Sequence, residues 1–378
     1  MKKIHFGLVS LLLVFAFLWP EQKPRAREAG IEPGVFEPGK WNAITDVKGV
    51  RVGHVTLIEG EDIRTGVTAI LPHGGNIFRD KVPAAVYAAN GFGKLTGTTQ
   101  VEELGSLETP VVLTNTLSVP AAADAVIDYV LSYPGNERVF SVNPVVGETN
   151  DGYLNDIRGR HVAKKHVLNA IEKAAAGPVE EGCVGAGTGT TCFGFKGGIG
   201  TSSRKLPSSL GGYTVGVLVQ TNHGGVLNID GFPAGEELGN YAYKRFLDEE
   251  EEGSCMVVVA TDAPLLARNL KRLAKRALLG IARTGGFYSN GSGDYAVAFS
   301  TAEEVRIPYR PDGALVTYEV VPDRMMSPLF LAAAEACEEA ILNSLFKAEE
   351  MKGKDGHTEK AFPVAKVLEM MKNYRFFR

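Results

Sequence analysis

From Trp41 onward the sequence predicts one compact α/β domain of about 340 residues. Three observations carry that expectation. Segments with apolar residues three and four apart alternate with short apolar runs of strand character, so helices and strands share the chain. No Ser/Pro-rich linker and no internal repeat divides it. Glycine supplies 44 of 378 residues with no G-X-Y period, which calls for many tight turns and close backbone approaches. With 44% hydrophobic residues there is ample apolar material for a large core.

In chain order, helix-period patterns fall at Pro120–Ser132 and His161–Ala175. Strand-like runs follow at Tyr213–Thr221 and Cys255–Thr261, and a third helix is expected over Pro264–Ile281. Further strands are expected at Tyr295–Ser300 and Ala314–Val321, and a last long helix at Pro328–Lys347. Long connections rich in Gly, Asn and Thr join these elements, and such loops often carry function when a rigid scaffold holds them.

Residues 1–30 stand apart. Lys2-Lys3 form a basic start, the run from Gly7 to Trp19 is apolar but short for a bilayer span, and Pro20 breaks it. This is the layout of a secretory signal peptide or, if uncleaved, of an N-terminal anchor through residues 4–19. Ala26-Arg27-Glu28-Ala29 is only a loose small-x-small cleavage signal, and no cysteine follows the run to take a lipid. The rest of the chain, 31–378, is therefore expected to be secreted or periplasmic. A balance of 40 basic against 44 acidic residues, net −4, lacks the footprint of a dedicated nucleic-acid binder. Four cysteines in this length make no disulfide scaffold.

One segment breaks the pattern. Asp248 to Glu252 are five consecutive acidic residues, which repel one another and favour an exposed loop. Gly253-Ser254 follows, and an apolar strand begins at once with Cys255-Met256-Val257. A solvated loop feeding a core strand accounts for composition. The sharper reading is a processing site, in which the Ser254 hydroxyl attacks its own preceding carbonyl by N→O acyl shift and leaves Ser254 as a new N-terminus at the head of a rigid strand.

Several stretches together resemble the DmpA-like family of L-aminopeptidase/D-amidase-esterases and β-peptidyl aminopeptidases, self-processing N-terminal-serine hydrolases. They are Asn42 to Val47, Glu103 to Pro110, Leu113 to Val119, Gly147 to Gly152, Gly185 to Arg204, Ser254 to Leu265 and Asn290 to Asp294. The resemblance spans most of the chain and implies a four-layer αββα sandwich, cleaved between Gly253 and Ser254 into chains 31–253 and 254–378 that stay together. It implies Ser254 as nucleophile, with its freed α-amino group, ordinarily of pKa about 7.7–8.0, as proton acceptor. Ser292 would relay or orient a proton, and Asp294, where the family often has Glu, would hold Ser292 and the charged amine. Asn222 matches the oxyanion-hole amide, and Glu148 the carboxylate that receives the substrate's ammonium. Relatives also use a Tyr hydroxyl near Glu148; the corresponding position is Asn150 here, with Tyr153 three residues on, so either is a candidate second donor. From residue types alone, Glu148 and Asn222 also suit ordinary turn roles. The expected substrates are short peptides, amides or esters with a free amino group, and the expected assembly is a homo-oligomer of two-chain units.

The glycine-rich stretch from Val184 to Arg204 lacks the order of a phosphate loop, because Lys196 is followed by Gly197-Gly198, and the third-glycine spacing of a dinucleotide fingerprint. By resemblance it brings backbone close to the substrate and the cleavage segment. No metal-ligand spacing stands out among the seven histidines, so neither metal nor cofactor is expected. Cys183 and Cys192 are spaced so that a bridge is permitted; Cys255 and Cys337 read as core thiols. Two rivals remain: an acyltransferase like the ornithine acetyltransferases, which use Thr where this chain has Ser254, and a non-catalytic envelope protein that retains the fold.

Overall fold

The computed structural model describes residues 23–244, 252–311 and 313–375. Nine principal strands, in chain order, are β1 (Arg51–Glu59), β2 (Ile63–Leu71), β3 (Asp80–Gly91), β4 (Val111–Asn115), β5 (Val145–Thr149), β6 (Ile199–Lys205), β7 (Thr214–Asn222), β8 (Glu252–Thr261) and β9 (Gly291–Ser300). The principal helices are α1 (Val119–Ser132), α2 (Lys164–Glu172), α3 (Ala267–Ala277), α4 (Leu279–Arg283), α5 (Met326–Lys347) and α6 (Val364–Arg375).

Two sheets result. One has the order β1-β2-β4-β5, and the other runs β3-β9-β8-β7-β6, with short strands Ile307–Pro308 and Ser106–Leu107 paired to β3. Within the larger sheet β8 runs parallel to β9 and antiparallel to β7. Successive side chains of a strand face opposite ways, and here both faces are covered. Met256, Val258 and Ala260 of β8 join Val297 and Phe299 of β9 and Ile70, Val111 and Leu113 of the smaller sheet in a core between the sheets. Cys255, Val257 and Val259 face the other way, onto α3, α5 and α6. The outer face of the smaller sheet packs on α1 and α2 through Val67, Val112 and Val146. The layers are therefore helix, sheet, sheet, helix. Burial on both faces explains why β8 reads as an unbroken apolar run rather than an alternation.

Four expected helices are present, with Pro264–Ile281 divided into α3 and α4 at Leu278. The strand expected at Ala314–Val321 does not form. Its residues run as an exposed irregular segment, with Leu315 92% exposed. Alternation supplies a pattern but no neighbouring edge, and Ile307–Pro308 already occupies the free side of β3. The strands β1 to β6 lie where no strand was expected.

The leader boundary placed at residue 30 falls on residues that have contacts in the domain. Residues 23–30 pack into the domain: Ala26 is fully buried and donates its N–H to Asn343 Oδ1 at 2.9 Å. Arg25 pairs with Glu181 at 2.7 Å and Arg27 with Glu339 at 2.9 Å. The loose cleavage signal at 26–29 is therefore inside the fold, while the apolar run from Gly7 to Trp19 lies outside the described residues. All four cysteines are free, so Cys183 and Cys192 do not bridge; Cys192 is buried beside His223, whereas the Cys183 thiol meets the Glu349 backbone. Among the described residues no helix is long and apolar enough to cross a membrane.

The long helix α5 lies almost on β6. A Cβ at Gly200 would sit 1.9 Å from the carbonyl oxygen of Ala340 and 2.7 Å from the amide nitrogen of Ser344. Both are helix backbone and neither yields without lifting the helix off the sheet. Gly200→Ala is expected to destabilise the fold by about 3 kcal/mol or to prevent folding, read by urea denaturation.

Candidate active site

Three adjacent strand ends assemble the site. Asn222 closes β7 and is paired with Ser254 on β8; Gly253 and Ser254 are paired in turn with Ser292 and Gly293 on β9. The Ser254 hydroxyl donates to the carbonyl oxygen of Gly253 at 2.5 Å and accepts from the Gly293 N–H at 3.3 Å. Its side chain is buried, so hydroxyl and preceding peptide bond are held together by the ladder rather than by a flexible turn.

Asn222 is oriented by a group far from it in sequence. Its Oδ1 accepts the Thr191 N–H at 3.0 Å, and because a backbone amide donates only, the NH2 must point the other way. No protein acceptor among the described residues meets that Nδ2. It is a directed donor beside the Ser254 position.

On β9, burial raises the Asp294 carboxyl to about 6, opposed by hydrogen bonding from the Ser292 hydroxyl and the Cys255 amide. Asp294 Oδ2 is buried with no partner among the described residues, which leaves an acceptor ready for an ammonium or a hydroxyl. Ser292, Asp294 and His223 line a small, narrow recess. Burial drives His223 down to about 4, so it is neutral and a poor proton acceptor. Its ring stands edge-on to Phe193 at 4.9 Å.

Ser254 faces a second cleft, lined also by Glu148, Asn150, Thr116, Lys94 and Phe92. Glu148 is buried at the end of β5. Its Oε1 accepts the Lys94 N–H at 2.9 Å, and its Oε2 accepts the Thr116 hydroxyl. It does not cap the turn that follows; Asn150 does, accepting the Gly152 N–H at 2.9 Å. Tyr153 is not brought to the site. It is 49% exposed and stacks on His357 at 4.5 Å, so of the two candidate second donors only Asn150 reaches the cleft.

The glycine-rich stretch lies behind the site rather than in it. No residue of 184–204 lines either cavity among the described residues. Its glycines let backbone meet backbone: a Cβ at Gly198 would sit 2.1 Å from the Gly182 carbonyl oxygen. Its contribution to the site is the Thr191 amide. Sequence reasoning missed that donor, the Gly293 amide, and the Lys94 amide and Thr116 hydroxyl on Glu148. Three of the four are backbone groups that every residue type carries, so no sequence signal marks them. The acidic run before Gly253 falls almost wholly outside the described residues. Among those residues no three His, Cys, Asp or Glu side chains gather as a metal site. A larger surface hollow between α3, α4 and α5 holds Arg276, Arg283 and Phe330 but no nucleophile or carboxylate.

A strand-head serine on its own preceding carbonyl, with a directed amide and a buried carboxylate beside it, defines a serine hydrolase of the N-terminal-nucleophile kind. The model of peptidase family S58 matches residues 42–359, and the chain belongs to that family. It is 44% identical over 400 residues to the β-peptidyl aminopeptidase BapA of Sphingosinicella microcystinivorans, covering 99% of this chain and 98% of the relative. The fold is that of the β-aminopeptidase from Burkholderia sp., with TM-score 0.85 and 43% identity over 93% of this chain and 99% of that one. It also superposes on the L-aminopeptidase D-Ala-esterase/amidase of Ochrobactrum anthropi, a prototype serine aminopeptidase and a variant of the Ntn hydrolase fold, with TM-score 0.86 and 39% identity over the same shares. The protein is a serine aminopeptidase acting on peptide-type substrates, and the acyltransferase and non-catalytic readings are not favoured.

The raised Asp294 carboxyl has a signed consequence. Between the ordinary carboxyl value near 4 and about 6, the folded chain holds a proton that the unfolded chain has lost, so stability falls as pH rises through that window. In the uncut Ser254→Ala chain, Asp294→Asn is expected to raise stability at pH 7 and to change little below pH 4, measured by urea titration across pH.

Proposed function

We propose that the chain cuts itself between Gly253 and Ser254 and then uses the freed Ser254 to release N-terminal residues from short peptides, amides or esters. The Ser254 hydroxyl held against the Gly253 carbonyl carries this reading. Oγ attacks the carbonyl carbon, the C–N bond breaks as nitrogen takes a proton, and water hydrolyses the resulting ester. Products are a Gly253 carboxylate and a Ser254 with free amine and hydroxyl.

In turnover the Ser254 amine takes the hydroxyl proton as Oγ attacks the substrate carbonyl. Asn222 Nδ2 meets the developing oxyanion, with Asn150 as the second polar group at the cleft. The proton passes to the leaving amine, and water then cleaves the acyl-enzyme. Ser292 and Asp294 hold the amine; the unpartnered Asp294 Oδ2 suits that ammonium. Glu148, buried and already fixed by Lys94 and Thr116, receives the substrate's ammonium and thereby excludes blocked N-termini.

Likeness to proteins named as β-peptidyl aminopeptidases supports substrates with one extra methylene between amine and scissile carbonyl. The apolar run from Gly7 to Trp19 supports export, to the periplasm or beyond. Exposed Leu315, Val316 and Val320 in one segment support assembly into an oligomer of two-chain units.

N-terminal sequencing of the purified protein is expected to find the 125-residue fragment 254–378 beginning Ser-Cys-Met. Ser254→Ala should abolish both this cleavage and hydrolysis; cutting of that variant at the same bond sinks the assignment. Glu148→Gln is expected to lower kcat/KM for β-alanyl p-nitroanilide roughly a hundredfold, the effect of losing one member of a buried charge pair. Hydrolysis of the N-acetylated substrate should stay negligible in both proteins. An unchanged kcat/KM would remove Glu148 from ammonium binding.

A further inference from the structure

Lys196 is fully buried, and the chemistry above makes no use of it. Its ammonium donates to three backbone carbonyls, Gly187 at 3.1 Å, Thr190 at 2.8 Å and Gly197 at 2.8 Å. An ammonium has three donors, and these three bonds are all to backbone carbonyls, with the Cys183 side chain also close enough to favour the charge. Taking such a charge out of water is costly, and burial holds its pKa below the usual lysine value. A leucine or methionine would fill the same volume without that cost but would leave the Gly197 carbonyl without its donor, so the charge is retained for what it does to the loop.

The three carbonyls show what is held. They come from both ends of one loop, 187–197, and the ammonium gathers them to a point. Within that loop Thr191–Cys192 and Phe195–Lys196 form a small hairpin in which Thr191 is paired directly with Lys196. Phe193 and Gly194 turn it with φ of 52° and 70°. The Gly197 N–H returns to the Thr190 carbonyl at 3.1 Å, and the Lys196 N–H is anchored on the Lys360 carbonyl at 2.8 Å. The outward product of this packing is the Thr191 N–H on Asn222 Oδ1.

We propose that Lys196 is a positioning residue for hydrolysis: it clamps the 187–197 loop so that the Thr191 amide holds Asn222 with its NH2 turned toward the developing oxyanion. The inference rests on the oxyanion role given to Asn222. Without the clamp the Gly197 carbonyl loses its donor while Gly187 and Thr190 keep only the Thr190 hydroxyl and the Gly197 amide, the loop relaxes, the Thr191 amide shifts, and the Asn222 amide is free to rotate. Substrate binding through Glu148 lies on the other sheet and is untouched, so the loss falls on kcat.

The experiment is a double-mutant cycle on the full chain with β-alanyl p-nitroanilide. Asn222→Ala alone is expected to lower kcat between a hundred- and a thousandfold. Lys196→Met alone should lower kcat roughly a hundredfold, the scale of a small misplacement, with KM changed less than threefold. In the Asn222→Ala background Lys196→Met should cost less than a further threefold, because the group it positions is gone. If Asn222→Ala leaves kcat intact, the oxyanion reading itself fails. If Asn222→Ala is impaired but Lys196→Met multiplies the loss in full, or raises KM instead, the positioning role is overturned. Should Lys196→Met not fold, the same cycle with Lys196→Gln, which keeps one amide donor, decides it. Where a variant stays uncut, the first-order rate of chain cleavage replaces kcat in the cycle, with the same criteria.

Discussion

The antiparallel pairing of Asn222 with Ser254 and the parallel pairing of Ser254 with Gly293 fix the relative positions of Asn222, Ser254, Ser292 and Asp294. A β-ladder repeats at one residue per step, and a slip of one residue would turn Ser254 into the sheet interior and Cys255 into the cleft. That register is enforced from both faces. Met256, Val258 and Ala260 must enter the core between the sheets while Cys255, Val257 and Val259 meet the helices, so no alternative register buries the strand. The rigidity of Ser254 is thus a consequence of the packing of β8.

Two kinds of electrostatic device are mounted on this frame. Asp294 is pushed up by burial, while Glu148 is held by two donors in the cleft. One carboxyl belongs to the sheet that carries the serine, the other to the opposite sheet. In the proposed reaction a substrate's ammonium and its scissile carbonyl would therefore be addressed by different layers. This separates recognition from chemistry and explains how binding and bond cleavage can respond to different substitutions.

Two fully buried cations are met by different kinds of partner. Arg204, fully buried, is met by Glu335 at 3.3 Å and Glu339 at 2.8 Å, and Arg27 reaches the same Glu339. This network ties residues 23–30 to α5, which is why a segment with leader-like neighbours belongs to the domain. Lys196 solves its burial with carbonyls in place of carboxylates. The first device fastens chain segments together, and the second shapes a loop.

The sequence by itself determined a good deal. The acidic run ending in Gly253-Ser254 before an apolar strand pointed to Ser254, and the ordered motifs pointed to Asn222, Glu148, Ser292, Asp294 and the αββα layers. These were legible because they reside in side-chain identity and spacing. What only the tertiary structure decided was relational. It separated Asn150 from Tyr153, left Ala314–Val321 without a partner strand, kept Cys183 from Cys192, and moved the glycine-rich loop from the cleft to the support behind it. The donors on Asn222, Glu148 and Ser254 are mostly backbone amides, identical in every residue, and long-range pairing chooses which of them arrives at a given oxygen. A sequence records which groups exist; the register of strands and the packing of helices decide which of them meet.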